Sequence, residues 1–268
     1  ASRHIPVAGL LAFAPAIRIR LGRQIAALLL GFCLQPQAFD LQGHRGARGL
    51  LPENTLPAFA RALSIGVTTL ELDVVLSAEG VPVISHDTTP NPDLTRDAGG
   101  RWLQARGQPF NRLTLAEIAE WDVGRINPAS RYARDFAEQT ARDGQRIPTL
   151  AALFQRVRQL GAQQVRFNIE LKIHPGRPDE SPSPDTFVRA VLDVIATHGM
   201  ARRVSLQSFD WRIQKVAQQL APGMPLSYLS AQSPRFNTLA SGEWTAGLRL
   251  ADFADAPALV AAAGGKLW

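Results

Sequence analysis

The sequence predicts an α/β fold built on a parallel sheet, and three observations lead to this fold class. Short apolar runs rich in β-branched residues recur after residue 38, as buried parallel strands do. Segments with a helical spacing of Leu, Ala, Ile and Val separate these runs. Charged side chains follow several of the runs, at the strand ends where sites form in such folds. This pattern fits either an open, doubly wound sheet or a closed barrel.

The predicted strands and helices alternate in chain order. Pro57 suits the first turn of a helix that begins behind Asn54 or Thr55, and Asp210 precedes a helix at Trp211. No Gly-x-Gly-x-x-Gly loop follows the first strand, which disfavours a nucleotide-binding fold. The predicted strands are residues 39–43, 69–76, 81–85, 165–171, 204–208 and 225–229, and the predicted helices are 56–65, 150–160, 186–198 and 211–220.

Two polar regions interrupt this alternation. Residues 88–146 are rich in Asp, Arg, Gly, Asn and Pro, with one brief helical patch at about 115–121. A connection of this length within a compact domain is typical of a segment that covers a site, so we predict an insertion over the mouth of an active site. Residues 175–184 form a second, proline-rich loop behind another charged strand end.

The charge of the chain argues against nucleic acid as a partner. The formal net charge is +6, but Arg3, Arg18, Arg20 and Arg23 lie in the first 38 residues, which contain no acidic residue. Without these four arginines the charge is +2, and the remainder has no Lys/Arg-rich run with interleaved aromatic residues. We therefore predict no nucleic-acid partner and no strong attraction to membrane surfaces.

Residues 1–38 have the pattern of a leader with a signal peptide. Three arginines precede a hydrophobic stretch at about 25–34, and Ala38 offers a small residue at a cleavage site. Ten residues are too few to span a bilayer as a helix. We expect a mature protein that begins near Phe39, without stable membrane insertion, in the periplasm or outside the cell. The alternative is a buried helix of the mature fold. The single cysteine, Cys33, excludes an internal disulfide and a cysteine-based zinc site.

Three carboxylates follow apolar strands and form a candidate metal site. Residues two apart in a strand face the same side, so Glu71 and Asp73 point together, as do Glu170 and Lys172. Two carboxylates on one face of an apolar strand require a compensating cation if both are buried and ionised. Oxygen ligands of this kind suit Mg²⁺ or Ca²⁺. The alternative is that Glu71 and Asp73 form solvent-exposed salt bridges.

Two histidines end short apolar runs on either side of these carboxylates. His44 follows the first predicted strand, and His86 follows the third. A histidine at such a position is more often structural than catalytic, but a pair flanking a carboxylate site suits a general acid and a general base. Asp87 either orients a histidine or caps the following loop. Arg45 and Lys172 offer positive charge to a phosphate, although Arg45 alone would also fit an ordinary surface ion pair.

Six motifs in order resemble those of the glycerophosphodiester phosphodiesterase family, and the resemblance runs from about Phe39 to the end of the chain. Together they are far more specific than any one of them. The motifs are His44-Arg45-Gly46, Pro52-Glu53-Asn54-Thr55, Glu71-Leu72-Asp73, His86-Asp87, Asn168-Ile169-Glu170-Leu171-Lys172 and Ser205-Leu206-Gln207-Ser208-Phe209.

The resemblance implies a TIM barrel with a metal site at the carboxyl end of its strands and an insertion after the His-Asp motif. It implies hydrolysis of glycerophosphodiesters to glycerol 3-phosphate and an alcohol with one divalent ion, Ca²⁺ or Mg²⁺. A segment at 264–268 is similar to the start of a seventh strand, so we expect a barrel that lacks its last strand and helix. By position, the implied roles are metal binding for Glu71, Asp73 and Glu170, acid/base catalysis for His44 and His86, phosphate binding for Arg45 and Lys172, pocket lining for Gln207 and Phe209, and support for Glu53, Asn54 and Asp87.

Two other functions remain open from the sequence. A related barrel lipase of the phospholipase D type would act on phospholipid headgroups with similar residues. An inactive, truncated barrel would bind the diester without turning it over.

Overall fold

The computed structural model describes residues 39–268, of which residues 40–268 form one compact unit. The leader predicted at residues 1–38 lies outside the described residues. Within the described part of the chain, no helix is long and apolar enough to cross a membrane.

A six-stranded sheet forms the centre of this unit, in the order β1-β2-β4-β5-β6, with β3 paired to β2. All neighbours along that order are parallel. In a doubly wound sheet the strand order reverses at a switch point, whereas here it follows the chain in one direction, as in a barrel. The prediction of a TIM-barrel-type α/β fold is thereby confirmed. The strands are β1 Gln42–His44, β2 Thr69–Leu76, β3 Pro82–Ile84, β4 Arg166–Leu171, β5 Val204–Ser208 and β6 Leu226–Tyr228.

Seven α-helices connect and flank the strands in the described residues. Four of them match the predicted helices within two residues at each end. A two-stranded hairpin follows β6, with β7 at Gln232–Ser233 and β8 at Phe236–Asn237. The helices are α1 Leu56–Ile65, α2 Leu115–Ala119, α3 Arg131–Asp135, α4 Leu150–Gln159, α5 Pro184–Thr197, α6 Arg212–Leu220 and α7 Ala256–Ala262.

Helix boundaries follow from capping residues. Thr55 caps α1 by accepting a hydrogen bond from the backbone N–H of Ala58, and Gly66 ends this helix in the left-handed conformation at φ 96°. Asp210 does not directly precede the first helical residue of α6, because Trp211 occupies that position. Its Oδ1 nevertheless accepts a hydrogen bond from the backbone N–H of Arg212 at 3.1 Å, which satisfies one of the free donors at the helix start.

The two faces of the sheet differ in character because side chains alternate along each strand. Leu70, Leu72 and Val74 of β2 are fully buried in an apolar core that the long helices share. In the same core, the rings of Phe154 in α4 and Phe167 in β4 pack edge to face at 4.9 Å. The opposite face of β2, β4 and β5 carries polar residues that converge inside the barrel.

One predicted strand has a different role from the one we expected. Residues 81–85 were predicted as a parallel strand, but β3 pairs antiparallel with the last residues of β2, with Val74 opposite Ile84. Only a short turn separates the two strands, and its Gly80 has a φ of 76°. A parallel connection needs a crossover of a dozen or more residues, which this turn does not provide. β3 therefore extends β2 as a hairpin beyond the barrel sheet.

Residues 88–146 form a largely irregular layer with its own small core. Val75 and Val83 of the hairpin pack there against Phe110, Leu113 and Ile118. This packing shows how a segment with little regular structure is held against the end of β2.

The last residues continue the sheet past β6. Leu267 pairs in parallel with Ser227, and its carbonyl accepts the N–H of Tyr228 at 3.0 Å. This is the position of the predicted seventh strand. Among the described residues no pairing joins β1 to β6, and the expected absence of the last strand and helix stays a prediction.

Candidate active site

Strands β2 and β4 bring three predicted carboxylates to one point. Asp73 and Glu170 are paired across the two strands, and Glu71 lies two residues before Asp73 on the same face. One carboxylate oxygen from each of Glu71, Asp73 and Glu170 lies within 4.8 Å of the other two, and all three residues are buried. We call these three residues the carboxylate cluster. Their convergence excludes the alternative that Glu71 and Asp73 form exposed salt bridges.

Two basic side chains face the carboxylate cluster. The Nζ of Lys172 lies 2.6 Å from Oε1 of Glu170 and 3.8 Å from Oδ1 of Asp73. The Nε of Arg45 lies 3.2 Å from Oδ2 of Asp73, and its Nη1 donates to Oε1 of Glu53 at 2.8 Å. Three acids therefore share two nearby cations, one of which also serves Glu53.

The pKa values of the cluster respond to this crowding. Burial raises the pKa of Glu71 to about 8, and the neighbouring Asp73 adds to the rise. Burial also raises the pKa of Glu170, although Lys172 opposes it. For Asp73, burial favours a higher pKa, but Lys172, His86 and Arg45 outweigh burial and hold the pKa below its ordinary value. Without a further cation, the cluster does not ionise fully at neutral pH.

The cluster has the donor set and the free valence for a divalent cation. The Oδ1 of Asp73 is buried and has no hydrogen-bond partner. A buried oxygen of this kind is costly unless another group satisfies it. Carboxylate oxygens are the ligands that Mg²⁺ and Ca²⁺ prefer. The residues present therefore fit a hard divalent ion.

Polar residues inside the barrel fix the orientation of Glu71. The Nε2 of Gln207 in β5 donates to Oε1 of Glu71 at 2.9 Å, and the backbone N–H of Arg45 donates to Oε2 at 2.9 Å. Gln207 is itself held by Asn168, whose Nδ2 donates to Oε1 of Gln207 at 2.9 Å. Both oxygens of Glu71 are thus placed, one by a side chain of β5 and the other by the backbone N–H directly after β1.

Two residues of the loop between β1 and α1 adopt the left-handed backbone conformation, which is uncommon for residues other than glycine. Arg45 has a φ of 53° and Asn54 a φ of 56°. The backbone N–H of Asn54 donates to the carbonyl of Arg45 at 3.0 Å, and its Nδ2 donates to Oδ2 of Asp73 at 3.0 Å. This strained backbone aims the Arg45 N–H and the Asn54 amide at the cluster, as is common at functional sites.

The two predicted histidines line one open cleft of about 500 Å³ together with Glu71 and Glu170. The Nε2 of His44 lies 3.7 Å from Oε2 of Glu71, and its Nδ1 lies 2.9 Å from Nη2 of Arg48. Burial lowers the pKa of His44 to about 4, with added effects of Arg48 and Arg45. His44 is therefore a neutral imidazole at pH 7 in the absence of a ligand.

His86 has an acidic neighbour where His44 has a basic one. Its Nδ1 lies 3.4 Å from Oδ1 of Asp87. Asp87 also accepts a hydrogen bond from Nδ2 of Asn91 at 2.7 Å. Burial raises the pKa of Asp87, but His86, Arg106 and Asn91 outweigh burial and lower it to about 2. Asp87 is thus placed to orient His86.

Phe209, to which the resemblance assigns pocket lining, forms part of the cleft wall. The Nζ of Lys172 lies 5.8 Å from the centre of the Phe209 ring. The wall continues outward through Phe236 of β8, 6.1 Å from Phe209, and Trp244, 5.4 Å from Phe236. The sequence analysis did not single out these last two residues, because they lie in a segment without a recognisable motif.

Sequence reasoning also missed two residues that reach the site from its side. Arg48 bonds to His44, and Tyr132 of the insertion donates a hydrogen bond to Oε2 of Glu53. Arg48 lies two residues after the first motif, which was a usable signal. Tyr132 lies 79 positions from Glu53 in the chain, and no spacing rule connects the two.

Comparisons with known proteins indicate the family of the chain. The model of the glycerophosphoryl diester phosphodiesterase family matches residues 44–263. A solved structure from Silicibacter pomeroyi, described as a glycerophosphoryl diester phosphodiesterase, is 35% identical in sequence with a TM-score of 0.75. The match covers 87% of this chain and 75% of that one. A phosphodiesterase from Oleispira antarctica, solved with the product sn-glycerol-3-phosphate, is 26% identical with a TM-score of 0.53, over 73% of this chain and 68% of that one.

A curated relative extends the comparison. The glycerophosphodiester phosphodiesterase of Caldanaerobacter subterraneus subsp. tengcongensis is 29% identical over 190 residues. The match covers 69% of this chain and 64% of that relative, so the chain spans less than two thirds of its length. The family model, by contrast, covers most of the described residues, including the cluster and both histidines. The chain therefore belongs to the glycerophosphoryl diester phosphodiesterase family.

Proposed function

We propose that this protein hydrolyses glycerophosphodiesters to glycerol 3-phosphate and an alcohol with the help of one divalent cation, Ca²⁺ or Mg²⁺. The observation that carries the proposal is the carboxylate cluster, whose oxygens lie within 4.8 Å of one another in a cleft that two histidines line. The related Oleispira antarctica enzyme, solved with sn-glycerol-3-phosphate, supports the choice of substrate class.

The carboxylate cluster would hold the cation, which when bound would withdraw charge from the non-bridging oxygens of the phosphate. Asn54 and Gln207 keep Asp73 and Glu71 in place through the hydrogen bonds described above, and Glu53 holds Arg45 beside Asp73. Lys172 and Arg45 supply positive charge beside the cluster, with side chains that are 15% and 11% exposed. We assign them to the binding of the phosphate.

The hydrogen-bond partners of the two histidines support different roles for them. Arginine only donates hydrogen bonds, so Nδ1 of His44 accepts from Arg48 and the ring proton sits on Nε2, which faces Glu71. The carboxylate of Asp87 beside Nδ1 of His86 favours a proton on that nitrogen and leaves Nε2 as an acceptor. We therefore assign Nε2–H of His44 as the hydrogen-bond donor to the leaving oxygen and His86 as the base.

In the proposed reaction, the oxygen of a water molecule bonds to phosphorus and gives its proton to Nε2 of His86. The bond between phosphorus and the alcohol oxygen breaks while Nε2–H of His44 donates a hydrogen bond to that oxygen, which then takes a proton from solvent. The products are glycerol 3-phosphate and the alcohol, and His86 returns its proton to solvent. Phe209 lies on the cleft wall beside these groups.

The test is the release of glycerol 3-phosphate from glycerophosphocholine by the purified protein. We expect turnover that a chelator abolishes and that Ca²⁺ or Mg²⁺, added separately, restores. Turnover that survives complete chelation would contradict the proposal. Activity on phospholipid vesicles alone would indicate a phospholipase D-like lipase, and binding of the diester without turnover would indicate an inactive binding module.

We also propose that residues 1–38 direct export, with the hydrophobic stretch at 25–34 as the signal sequence. The mature enzyme would then act in the periplasm or outside the cell. Cell fractionation of the expressed chain, with sequencing of its mature amino terminus, tests this: recovery of the uncleaved chain in the cytoplasm would contradict it.

A further inference from the structure

We propose that Tyr132 of the insertion, acting through Arg48, is a positioning residue that holds His44 in the orientation and tautomer needed to donate a hydrogen bond from Nε2 to the leaving oxygen. This proposal rests on the proposed function and deepens it. It gives residues 88–146, which the sequence predicts to cover the mouth of an active site, a direct part in the reaction.

A continuous chain of hydrogen bonds connects the insertion with His44. The hydroxyl of Tyr132 donates to Oε2 of Glu53 and accepts from Nη1 of Arg48 at 3.2 Å. Nη2 of the same guanidinium reaches Nδ1 of His44 at 2.9 Å. Arg48 therefore spans from the tyrosine to the histidine, and Glu53 fixes the direction of the hydroxyl.

The protonation state of Tyr132 fits this role. Burial raises its pKa above the ordinary value, and Glu53 adds to the effect. The hydroxyl keeps its proton, so it donates to the carboxylate of Glu53 and offers a lone pair to Arg48. Glu53 in turn accepts a hydrogen bond from Nη1 of Arg45, and Nε of the same guanidinium lies 3.2 Å from Oδ2 of Asp73. The tyrosine thus joins the side of the site that holds His44 to the side that holds the cluster.

Other contacts keep this part of the insertion on the loop between β1 and α1. The ring of Phe136 packs against the guanidinium of Arg48 at 4.6 Å and against the ring of Tyr132 at 4.8 Å. The Nε2 of Gln139 donates to the carbonyl of Arg48 at 2.7 Å. Arg48 is therefore held at its backbone, at the face of its guanidinium and at both terminal nitrogens.

His44 needs such support because its side chain is 54% exposed. Packing by itself does not fix an imidazole that is half in solvent, and the second contact of the ring, with Glu71, is 3.7 Å long. Loss of the bond to Nδ1 would let the ring rotate and would let the proton move between its nitrogens. Stabilisation of the leaving oxygen by Nε2–H would then become less efficient while the phosphate-binding groups stay in place.

The substitution Tyr132→Phe removes the hydroxyl and keeps the ring against Phe136. Arg48→Lys keeps the charge but replaces the two-pronged donor with a single one, which cannot bond to Tyr132 and His44 in the same geometry. Arg131→Lys is a matched control, because Arg131 is an exposed residue of the same helix. Thermal unfolding of each variant shows that the fold is retained.

The readout is the turnover of two glycerophosphodiesters that differ in the leaving group. Glycerophosphocholine releases an alkoxide that needs a proton, whereas a glycerophosphodiester of p-nitrophenol releases a stable anion. We expect Tyr132→Phe and Arg48→Lys to lower kcat for glycerophosphocholine about tenfold, to leave KM within about twofold, and to change kcat for the nitrophenyl ester less than about twofold. Arg131→Lys should change neither.

Two outcomes would overturn the proposal. Unchanged turnover of glycerophosphocholine in Tyr132→Phe would show that the hydroxyl is not needed. An equal loss on both substrates would show a structural role without a link to the leaving oxygen. If the wild-type protein turned over neither substrate, the proposed function itself would fail, and this result is distinct from both.

Discussion

The two ends of the parallel sheet both pair acids with basic residues, yet they do so in opposite ways. At the amino end, Asp40 has a side chain that is 41% exposed. Both of its oxygens accept hydrogen bonds, including one from Thr69 at 2.6 Å and one from Arg166 at 2.7 Å. At the carboxyl end, the carboxylate cluster is buried, is short of positive charge, and leaves Oδ1 of Asp73 without a hydrogen-bond partner.

This difference shows how to separate a stabilising acid from a functional one. A surface carboxylate whose oxygens already accept hydrogen bonds from neighbouring residues contributes modestly to the free energy of unfolding. Several acids that are buried together and not fully neutralised make the folded state less stable unless a ligand completes the site. The contrast matches the general division of barrels, in which the carboxyl end of the strands carries function and the amino end carries stability.

The largest expected effect is on activity at the carboxyl end. Asp73→Asn removes a charge and a ligand oxygen from the cluster while keeping its shape. Loss of several kcal/mol of charge stabilisation corresponds to a drop in kcat/KM of about a thousandfold or more for glycerophosphocholine. Asp40→Asn, the matched change at the amino end, should leave kcat/KM within about twofold. Comparable losses in both variants would remove the distinction between the two ends.

The next effect concerns the base. His86→Ala should lower kcat for glycerophosphocholine about a hundredfold, because His86 would accept the proton of the attacking water. The binding of the divalent ion should persist, since the carboxylate cluster is unchanged. His198→Asn is the control, because His198 ends α5 away from the cleft and packs against Phe154. If His86→Ala retained full turnover, His86 would not be the base.

The smallest effect is a pH dependence of stability at the amino end. Burial raises the pKa of Asp40, but hydrogen bonds from Thr69, Thr68, Gln42 and Arg166 outweigh burial and lower it from 3.8 to about 2. The stability from this shift is present above the unfolded pKa and is lost as the pH falls through the folded pKa. Because Asp40 is well exposed, the expected contribution is below about 1 kcal/mol.

Chemical unfolding from pH 7 to pH 2 measures this contribution. The free energy of unfolding of Asp40→Asn should lie slightly below that of the wild type at pH 7, and the two should converge as the pH falls from about 4 to about 2. A difference that grows toward low pH would contradict the assignment.

The carboxylate cluster was predictable from sequence for a simple reason. Alternation along a strand places Glu71 and Asp73 on one face, and parallel strands bring their carboxyl ends together, so Glu170 had to lie nearby. The boundaries of α1 were equally accessible, since Thr55 and Pro57 are local signals. In each case the pattern depends on neighbours in sequence or on a general rule of parallel sheets.

The sequence-based predictions failed where a tertiary contact or the length of a connection determined the structure. Residues 81–85 have the composition of a buried strand, and only the short turn at Gly80 shows that they return antiparallel along β2. The bond between Tyr132 and Glu53 joins an irregular segment to a distant loop, so composition and periodicity contain no trace of it. The motifs predicted the chemical groups of the site, and the fold was needed to find what holds them.

The most direct test of whether the carboxylate cluster binds a divalent ion is calorimetric titration with Mg²⁺ or Ca²⁺ of the chelated wild-type protein, Asp73→Asn and Asp40→Asn. We expect one divalent ion per chain in the wild type and in Asp40→Asn, and an affinity at least about tenfold weaker in Asp73→Asn. Equal affinity in the wild type and Asp73→Asn would show that the ion does not bind at the carboxylate cluster.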